Sequence, residues 1–168
     1  RGLANLSDPR GLADLANYAQ ERDEKVRNSL KQSLTDLATL PGSVMPLAAL
    51  IEKTQGDILY ALIEASGSVG DPRLSPVLAA VVGSSDLRVA IVAARSLSAN
   101  GDSRAVEGLC AAASDSHSEL STTATSTLRR LTGYNAAPGH AWQLWWRDHV
   151  ADVQRLNDRD AFIAALHD

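Results

Sequence analysis

Small and apolar side chains recur along the chain at helical spacing, in a register that repeats. Along residues 89–97 they stand three and four positions apart, which places them on one face of an α-helix. Matching residues follow at intervals of 32, 31 and 31 positions. Four registers share these intervals: Leu15, Leu47, Leu78 and Leu109; Val26, Ile58, Val89 and Leu120; Leu34, Ser66, Leu97 and Leu128; Leu37, Val69, Asn100 and Leu131. A repeat of this length predicts one helical hairpin per unit.

Turn-forming and capping residues recur with the same period. Asp-Pro-Arg or a close variant opens units one, three and four, at residues 8–10, 71–73 and 102–104, whereas unit two opens with Leu40-Pro41-Gly42. The Asp can cap the following helix, and Pro suits its first turn because an N–H there has no intrahelical partner. A second cap is predicted before each second helix. The candidates are Asp23, Asp57, Asp86 and either Asp115 or Ser116.

This pattern predicts an all-α fold, a right-handed α-α superhelix of about four helical hairpins that bury their apolar faces by stacking. We expect residues 1–168 to form a single domain. The repeats are predicted at about 8–39, 40–70, 71–101 and 102–133, and a C-terminal cap at 134–168. The second helix of unit four should be the weakest, since Ser and Thr crowd its residues 121–127.

The C-terminal segment differs from the repeats because it contains all three tryptophans, Trp142, Trp145 and Trp146. We predict a pair of helices there, one over 140–150 and a shorter one from Asp158 or Asp160 to about residue 166. The tryptophans fall on neighbouring turns and suit the covering of the last open core, because aromatic rings bury large areas. An exposed Trp145 that anchors a partner is the alternative.

The junctions Val69-Gly70-Asp71-Pro72-Arg73 and Asn100-Gly101-Asp102-Ser103-Arg104 are the most diagnostic segments. With the mid-unit Asp, the Val that starts the second helix and the small residues in its middle, the chain resembles the HEAT-repeat (armadillo-like) superfamily. The resemblance covers about residues 8–133. Residues 131–133 followed by the tryptophans are similar to the end of some bacterial HEAT-repeat proteins. The resemblance implies an α-solenoid in which the second helices line the concave side.

Removing the core stripe from the second helices leaves a candidate binding face. Its middle is apolar, with Leu59, Tyr60, Ile63 and Ile91, and its edges are basic, with Arg27, Lys31, Arg95 and Arg130. Contiguous exposed apolar surface marks interaction sites, so we expect this face to hold a protein or peptide segment with apolar anchors and acidic flanks. The alternative is that these residues pack against the next unit, as a helix phase shifted by one position would require.

Composition and charge exclude several classes of partner. The net charge is −4 and the Lys and Arg residues are scattered, so we expect no nucleic-acid partner. No apolar run reaches the roughly 18 residues needed to span a bilayer, so we expect a soluble domain without membrane insertion. Because the chain begins at Arg1 and not at Met, we expect a fragment or a processed product, and the compartment stays open.

Residues with catalytic or ligating chemistry are few. The single cysteine, Cys110, excludes an internal disulfide and a cysteine-based zinc site, and we expect a buried thiol and not a reactive one. The spacing of His117, His140, His149 and His167 matches no metal-binding motif, and no nucleophile elbow or phosphate-binding loop is present. We therefore expect no enzyme, cofactor or metal.

Two other functions stay open on the sequence. One is a HEAT-type enzyme such as a chromophore lyase; for a DNA-repair glycosylase the acidic charge is unfavourable. The other is a structural fragment of a longer solenoid.

Arg10, Arg73 and Arg104 recur beside aspartates, which predicts an Asp–Arg ladder along the junctions more than a ligand clamp.

Overall fold

The computed structural model describes residues 24–165, with side chains for Ser29 and for residues 32–156. Within 24–165 the regular elements are eight α-helices and two short 3-10 helices, with no β-strand. The helices are α1 (Glu24–Ala38), α2 (Val44–Lys53), α3 (Gly56–Val69), α4 (Ser75–Val82), α5 (Leu87–Asn100), α6 (Val106–Ala113), α7 (Ser118–Thr132) and α8 (Ala141–Ala165). The 3-10 helices Pro72–Leu74 and Ser103–Ala105 lead directly into α4 and α6. The predicted all-α fold is confirmed for this part of the chain.

The helices form two layers. The second helix of each hairpin packs against the second helix of the next, so α1, α3, α5 and α7 stand side by side, and the shorter α2, α4 and α6 pack over them. The periodic leucines lie between the layers. Leu47, Leu78, Leu97, Leu109 and Leu128 are each 0% exposed. The described members of the predicted registers therefore lie in the core or pack against it, and the side chains of Leu15 and Val26 lie outside the described part. The division of residues 1–168 into four repeats and a cap stays a prediction.

The predicted Asp–Arg pairs are present at both described junctions, and the pair at residues 8–10 lies outside the described residues. Asp71 accepts a hydrogen bond from the Arg73 backbone N–H at 2.9 Å and pairs with its guanidinium, also at 2.9 Å. Asp102 does the same with Arg104. The Arg104 guanidinium also donates to the Pro72 carbonyl at 3.2 Å, which links one junction to the one before it.

Of the predicted caps of the second helices, Asp86 is confirmed, because its carboxylate accepts from the Arg88 N–H at 3.0 Å at the start of α5. Asp57 was predicted wrongly. The backbone stays extended through Gln55, and α3 begins at Gly56, so Asp57 lies inside the first turn. The prediction for Asp115 or Ser116 is also wrong, since α7 starts after His117; Asp115 instead caps the preceding turn by accepting from the His117 N–H at 2.8 Å. Asp23 lies outside the described residues.

Buried side chains tie the second helices to one another. Ser96 Oγ donates to the Ile63 carbonyl at 2.9 Å, and Thr127 Oγ1 donates to the Ala94 carbonyl at 2.8 Å. Both donors and both acceptors are 31 positions apart, so the same contact recurs in successive units. Asn100 Nδ2 adds a bond of 2.8 Å to the Ser66 carbonyl. These bonds hold α3, α5 and α7 in one register.

A single helix, α8, occupies the region for which two helices were predicted. Residues 141–165 contain neither Gly nor Pro, so nothing interrupts the intrahelical hydrogen bonds at Asp158 or Asp160. The start of α8 lies at the end of α6, where the Gly139 N–H donates to the Ala113 carbonyl at 2.8 Å. Further along, α8 packs against Ser103–Ala105, just before the start of α6. It is therefore antiparallel to α6.

Residues 133–140 and Trp142 cover the last repeat. The guanidinium of Arg129 on α7 donates to the Ala136 carbonyl at 2.7 and 3.0 Å, which holds this segment against the helix. Trp142 is 0% exposed, and Tyr134 meets its ring edge-on at 5.5 Å. Trp145 and Trp146 are partly buried against the core. This burial supports the predicted covering of the core, and the role of the segment as a cap stays a prediction.

Candidate partner-binding face

The outward side of the second helices carries three rows of side chains that repeat with the units. The first row consists of Lys25, Asp57, Arg88 and Glu119, the second of Asn28, Tyr60, Ile91 and Thr122, and the third of Gln32, Glu64, Arg95 and Ser126. The structure describes all of these side chains except those of Lys25 and Asn28. In the first and third rows, every described member is exposed. One polar face therefore runs across α1, α3, α5 and α7.

The predicted apolar patch is not exposed on this face. Ile63 is 0% exposed and Ile91 is 8% exposed, so both belong to the core, and Leu59 and Tyr60 are half-buried against it. The reason is the close stacking of α5 on α3: the Ile63 carbonyl is itself bonded by Ser96 of the next unit. The alternative of packing against the next unit holds for Ile63 and Ile91, and the expectation that they are exposed was wrong.

The basic residues predicted at the edges have a mixed outcome. Arg95 on α5 and Arg130 on α7 are exposed, as the sequence predicted. Arg27 and Lys31 lie on α1, and their side chains are outside the described residues. The exposed polar residues, and not an apolar patch, thus give this face its character.

A groove of about 310 Å³ crosses the face between α3, α5 and α7. Its lining residues are Asp57, Tyr60, Arg88, Ile91, Val92, Arg95 and Glu119. Three of the predicted site residues, Tyr60, Ile91 and Arg95, meet in this groove. The prediction missed Asp57, Arg88 and Glu119, although they share one register of alternating charge that was visible in the sequence.

The charges in the groove are only partly paired. The Arg88 guanidinium lies 3.5 Å from an Asp57 oxygen and 3.4 Å from an Asp86 oxygen. Partial burial opposes ionisation of Asp86, yet hydrogen bonds from the backbone N–H groups of Arg88 and Val89 and from the Arg88 side chain hold its pKa below the usual value. Arg95 and Glu119 form no ion pair with any described residue. They are free to meet charges on another molecule.

A second groove, of about 440 Å³, lies between α8 and the 101–106 junction. Trp145 lines it, with its ring between those of Tyr134 at 5.9 Å and His149 at 4.5 Å. Leu131, Val153 and the 48% exposed Leu156 contribute apolar surface. This groove was not predicted, because it forms only where α8 runs antiparallel to α6.

The described residues contain few groups poised for chemistry. Burial, with a smaller contribution from Glu107, raises the pKa of the Cys110 thiol to about 12, which makes it a poor nucleophile at neutral pH. His117, His140 and His149 are exposed, and His167 lies outside the described part. Among the residues whose side chains the structure describes, no three His, Cys, Asp or Glu side chains are arranged for a metal ion. None of the described helices combines the length and apolar character that a bilayer crossing requires.

Comparison with known families identifies these hairpins. A family model described as HEAT repeats matches residues 44–129, about half of the chain, from the start of α2 to the last turn of α7. A search of curated proteins gives no match. HEAT repeats generally mediate protein–protein interaction or scaffolding and are generally non-catalytic. The similarity of the Trp-rich segment to bacterial members stays a prediction, since the match ends before it. The hairpins, their stacking and this match together show that the chain belongs to the HEAT-repeat family.

Proposed function

We propose that this chain is a non-catalytic module that binds a segment of a partner protein on the outward face of its second helices. The groove across α3, α5 and α7 carries the proposal, because it combines a concave shape with the charges of Arg95 and Glu119, which form no ion pair with the described side chains. Charged groups in a groove fix the register of a bound segment through electrostatic complementarity. Partly buried Tyr60 supplies an aromatic contact beside them.

The residues beside the groove define how far the binding face extends. Leu59 is half-buried next to Tyr60, and Arg130 is exposed on α7 beyond the groove. On α1, Arg27 and Lys31 extend the face toward the start of the chain in this proposal. Ile63 contributes only as core beneath the face, since it is 0% exposed.

Site-specific photo-crosslinking in the native cell tests the face directly. A photoreactive amino acid is placed at Glu64 or Ser126, which are exposed on the second helices, and in matched controls at Ala80 or Ala111, which are exposed on α4 and α6. We expect a discrete crosslinked protein from positions 64 and 126 that is absent from 80 and 111. Crosslinks from the control positions alone would contradict the proposal.

A charge substitution gives an independent check on the same preparation. Arg95→Gln removes an exposed cation from the groove, and Lys53→Gln removes an exposed cation at the end of α2 as a matched control. Only Arg95→Gln should reduce the crosslinked product at position 126. Equal yields from the two variants would count against the groove.

A further inference from the structure

The groove holds equal numbers of positive and negative side chains, but not all of them form ion pairs with described residues. Asp57, Arg88, Arg95 and Glu119 line it, two of each sign. Arg88 is engaged by Asp57 and Asp86, which leaves one cation on α5 and one anion on α7 without a described ion pair. A partner that carried charge of only one sign would meet repulsion from one of them. The groove therefore favours a partner segment with both signs of charge.

The repeat fixes how far apart these two charges stand. Glu119 lies 31 positions after Arg88 and so occupies the same row, seven residues before that of Arg95. Seven residues of helix rise by about 10 Å, and neighbouring helix axes lie about 9 Å apart, which separates the two positions by about 14 Å on the diagonal. Tyr60 and Ile91 occupy the row between.

An extended chain matches this arrangement. Residues in a β-strand rise by about 3.3 Å each, so positions i and i+4 stand about 13 Å apart, and i, i+2 and i+4 all point to one side. A residue at i+2 would then face the middle row between α5 and α7, where Ile91 lines the groove. An α-helical segment would need about nine residues to cover the same distance.

We propose that the groove takes an extended partner segment in which an acidic and a basic side chain lie four residues apart, with an apolar side chain midway. The acid pairs with Arg95, the base with Glu119, and the apolar side chain contacts Ile91. This inference rests on the proposed function, and it replaces the expectation of acidic flanks. Glu64 is exposed in the row of Arg95 but lies outside the groove lining, and its negative charge also disfavours the binding of acidic segments.

Fluorescein-labelled nonapeptides test the inference by fluorescence polarisation. Two mixed-charge probes carry Glu-Ser-Leu-Ser-Lys and the reverse order Lys-Ser-Leu-Ser-Glu between serine flanks. Two like-charge probes carry Glu-Ser-Leu-Ser-Glu and Lys-Ser-Leu-Ser-Lys. We expect one mixed-charge order to bind the full chain about threefold or more tightly than both like-charge probes, the scale of one or two partly exposed ion pairs. No measurable binding of either mixed-charge probe at millimolar concentration would overturn the inference.

A charge reversal makes the test specific. Glu119→Arg should switch the preference to the acidic probe, by about threefold, because both open charges in the groove are then cationic. The matched control Glu52→Arg makes the same change on exposed α2 and should keep the preference for mixed charge. Circular dichroism checks that both variants fold. An unchanged preference in Glu119→Arg would overturn the inference.

The two proposals fail separately. Crosslinks from Glu64 or Ser126 with peptide preferences that ignore residue 119 would leave the binding face standing and remove the mixed-charge segment. Crosslinks only from Ala80 or Ala111 would remove the binding face itself.

Discussion

The hydroxyl contacts between second helices allow a matched test of stacking within one helix. Thr127 is 2% exposed and its Oγ1 donates to the Ala94 carbonyl of α5 at 2.8 Å. Thr125, on the same helix, is 1% exposed, and its Oγ1 has no hydrogen-bond partner among the described residues. Val has the shape of Thr with a methyl group in place of the hydroxyl, and both are β-branched, so Thr→Val isolates the hydroxyl at each site.

The two substitutions should change stability in opposite directions. Thr127→Val loses one neutral hydrogen bond, which costs about 1 kcal/mol. Thr125→Val removes a buried hydroxyl that lacks a partner, which recovers about 1 kcal/mol of desolvation cost. The free energies of unfolding of the two variants should therefore differ by about 2 kcal/mol, with wild type between them.

Urea denaturation, followed by helical circular dichroism and by tryptophan fluorescence, measures the difference. The two signals should change together, and the slope of free energy against urea should stay constant, so that the midpoint reports stability. Wild-type stability in Thr127→Val, or a shift of both variants in the same direction, would refute the hydrogen-bonded stacking of α7 on α5.

Three further substitutions follow from burial and pairing. Ile91→Asp places a carboxylate at a position that is 8% exposed and should lower the free energy of unfolding by more than about 3 kcal/mol. Arg95→Asp, one turn away and exposed, should change the free energy of unfolding by less than about 0.5 kcal/mol. Urea denaturation measures both. Trp142→Ala should cost about 3–5 kcal/mol, because the side chain is 0% exposed; Trp142→Phe should cost less, since Nε1 has no described partner. The side-chain hydrogen bond from Arg73 lowers the pKa of Asp71 in the folded protein. As pH falls, the unfolded state therefore binds a proton at this carboxylate first, and the stability that the Asp71–Arg73 pair contributes is lost below about pH 4. Asp71→Asn should therefore flatten the acid limb of a curve of melting temperature against pH.

The hairpins were predictable because their signals are local. Helical spacing and the periodic leucines locate the core, and the Asp-Pro-Arg junction indicates where a unit begins. Leu78 lies in the core and Asp71 caps the junction, as the sequence predicted. The cap at Asp57 failed because α3 begins at Gly56 and has Gln55 at its N-cap position, two residues before Asp57.

The binding face was harder to predict because it depends on contacts between units. Ile63 and Ile91 follow a helical phase that permits either exposure or stacking, and only the position of the next second helix decides. The Ser and Thr residues of α7 lower its helix propensity, yet Ser121 and Thr127 donate to carbonyls of α6 and α5. Side-chain hydrogen bonds of this kind have no signature in single-helix propensity.

The C-terminal segment shows the same limit. Its tryptophans predicted a cover for the core, and Trp142 is fully buried, while the capping role itself stays a prediction. The reversed direction of α8 follows from the bonds that Gly139 makes with Ala113 and Ser114, contacts 25 and 26 positions apart in the chain. The groove beside Trp145 exists only because of that direction.

The binding face requires that the second helices stand side by side as a regular ladder. Pulsed electron–electron distance measurements between spin labels at Gln32, Glu64, Arg95 and Ser126, one exposed residue on each second helix, test it directly. Cys110 can stay in place, because its 2% exposure and its pKa of about 12 protect it from labelling. The pairs 32–95 and 64–126 should each be separated by roughly 18 Å, and the pair 32–126 by roughly 27 Å, since each step adds one helix spacing. A 32–126 distance no longer than the other two would show a closed bundle and contradict the ladder.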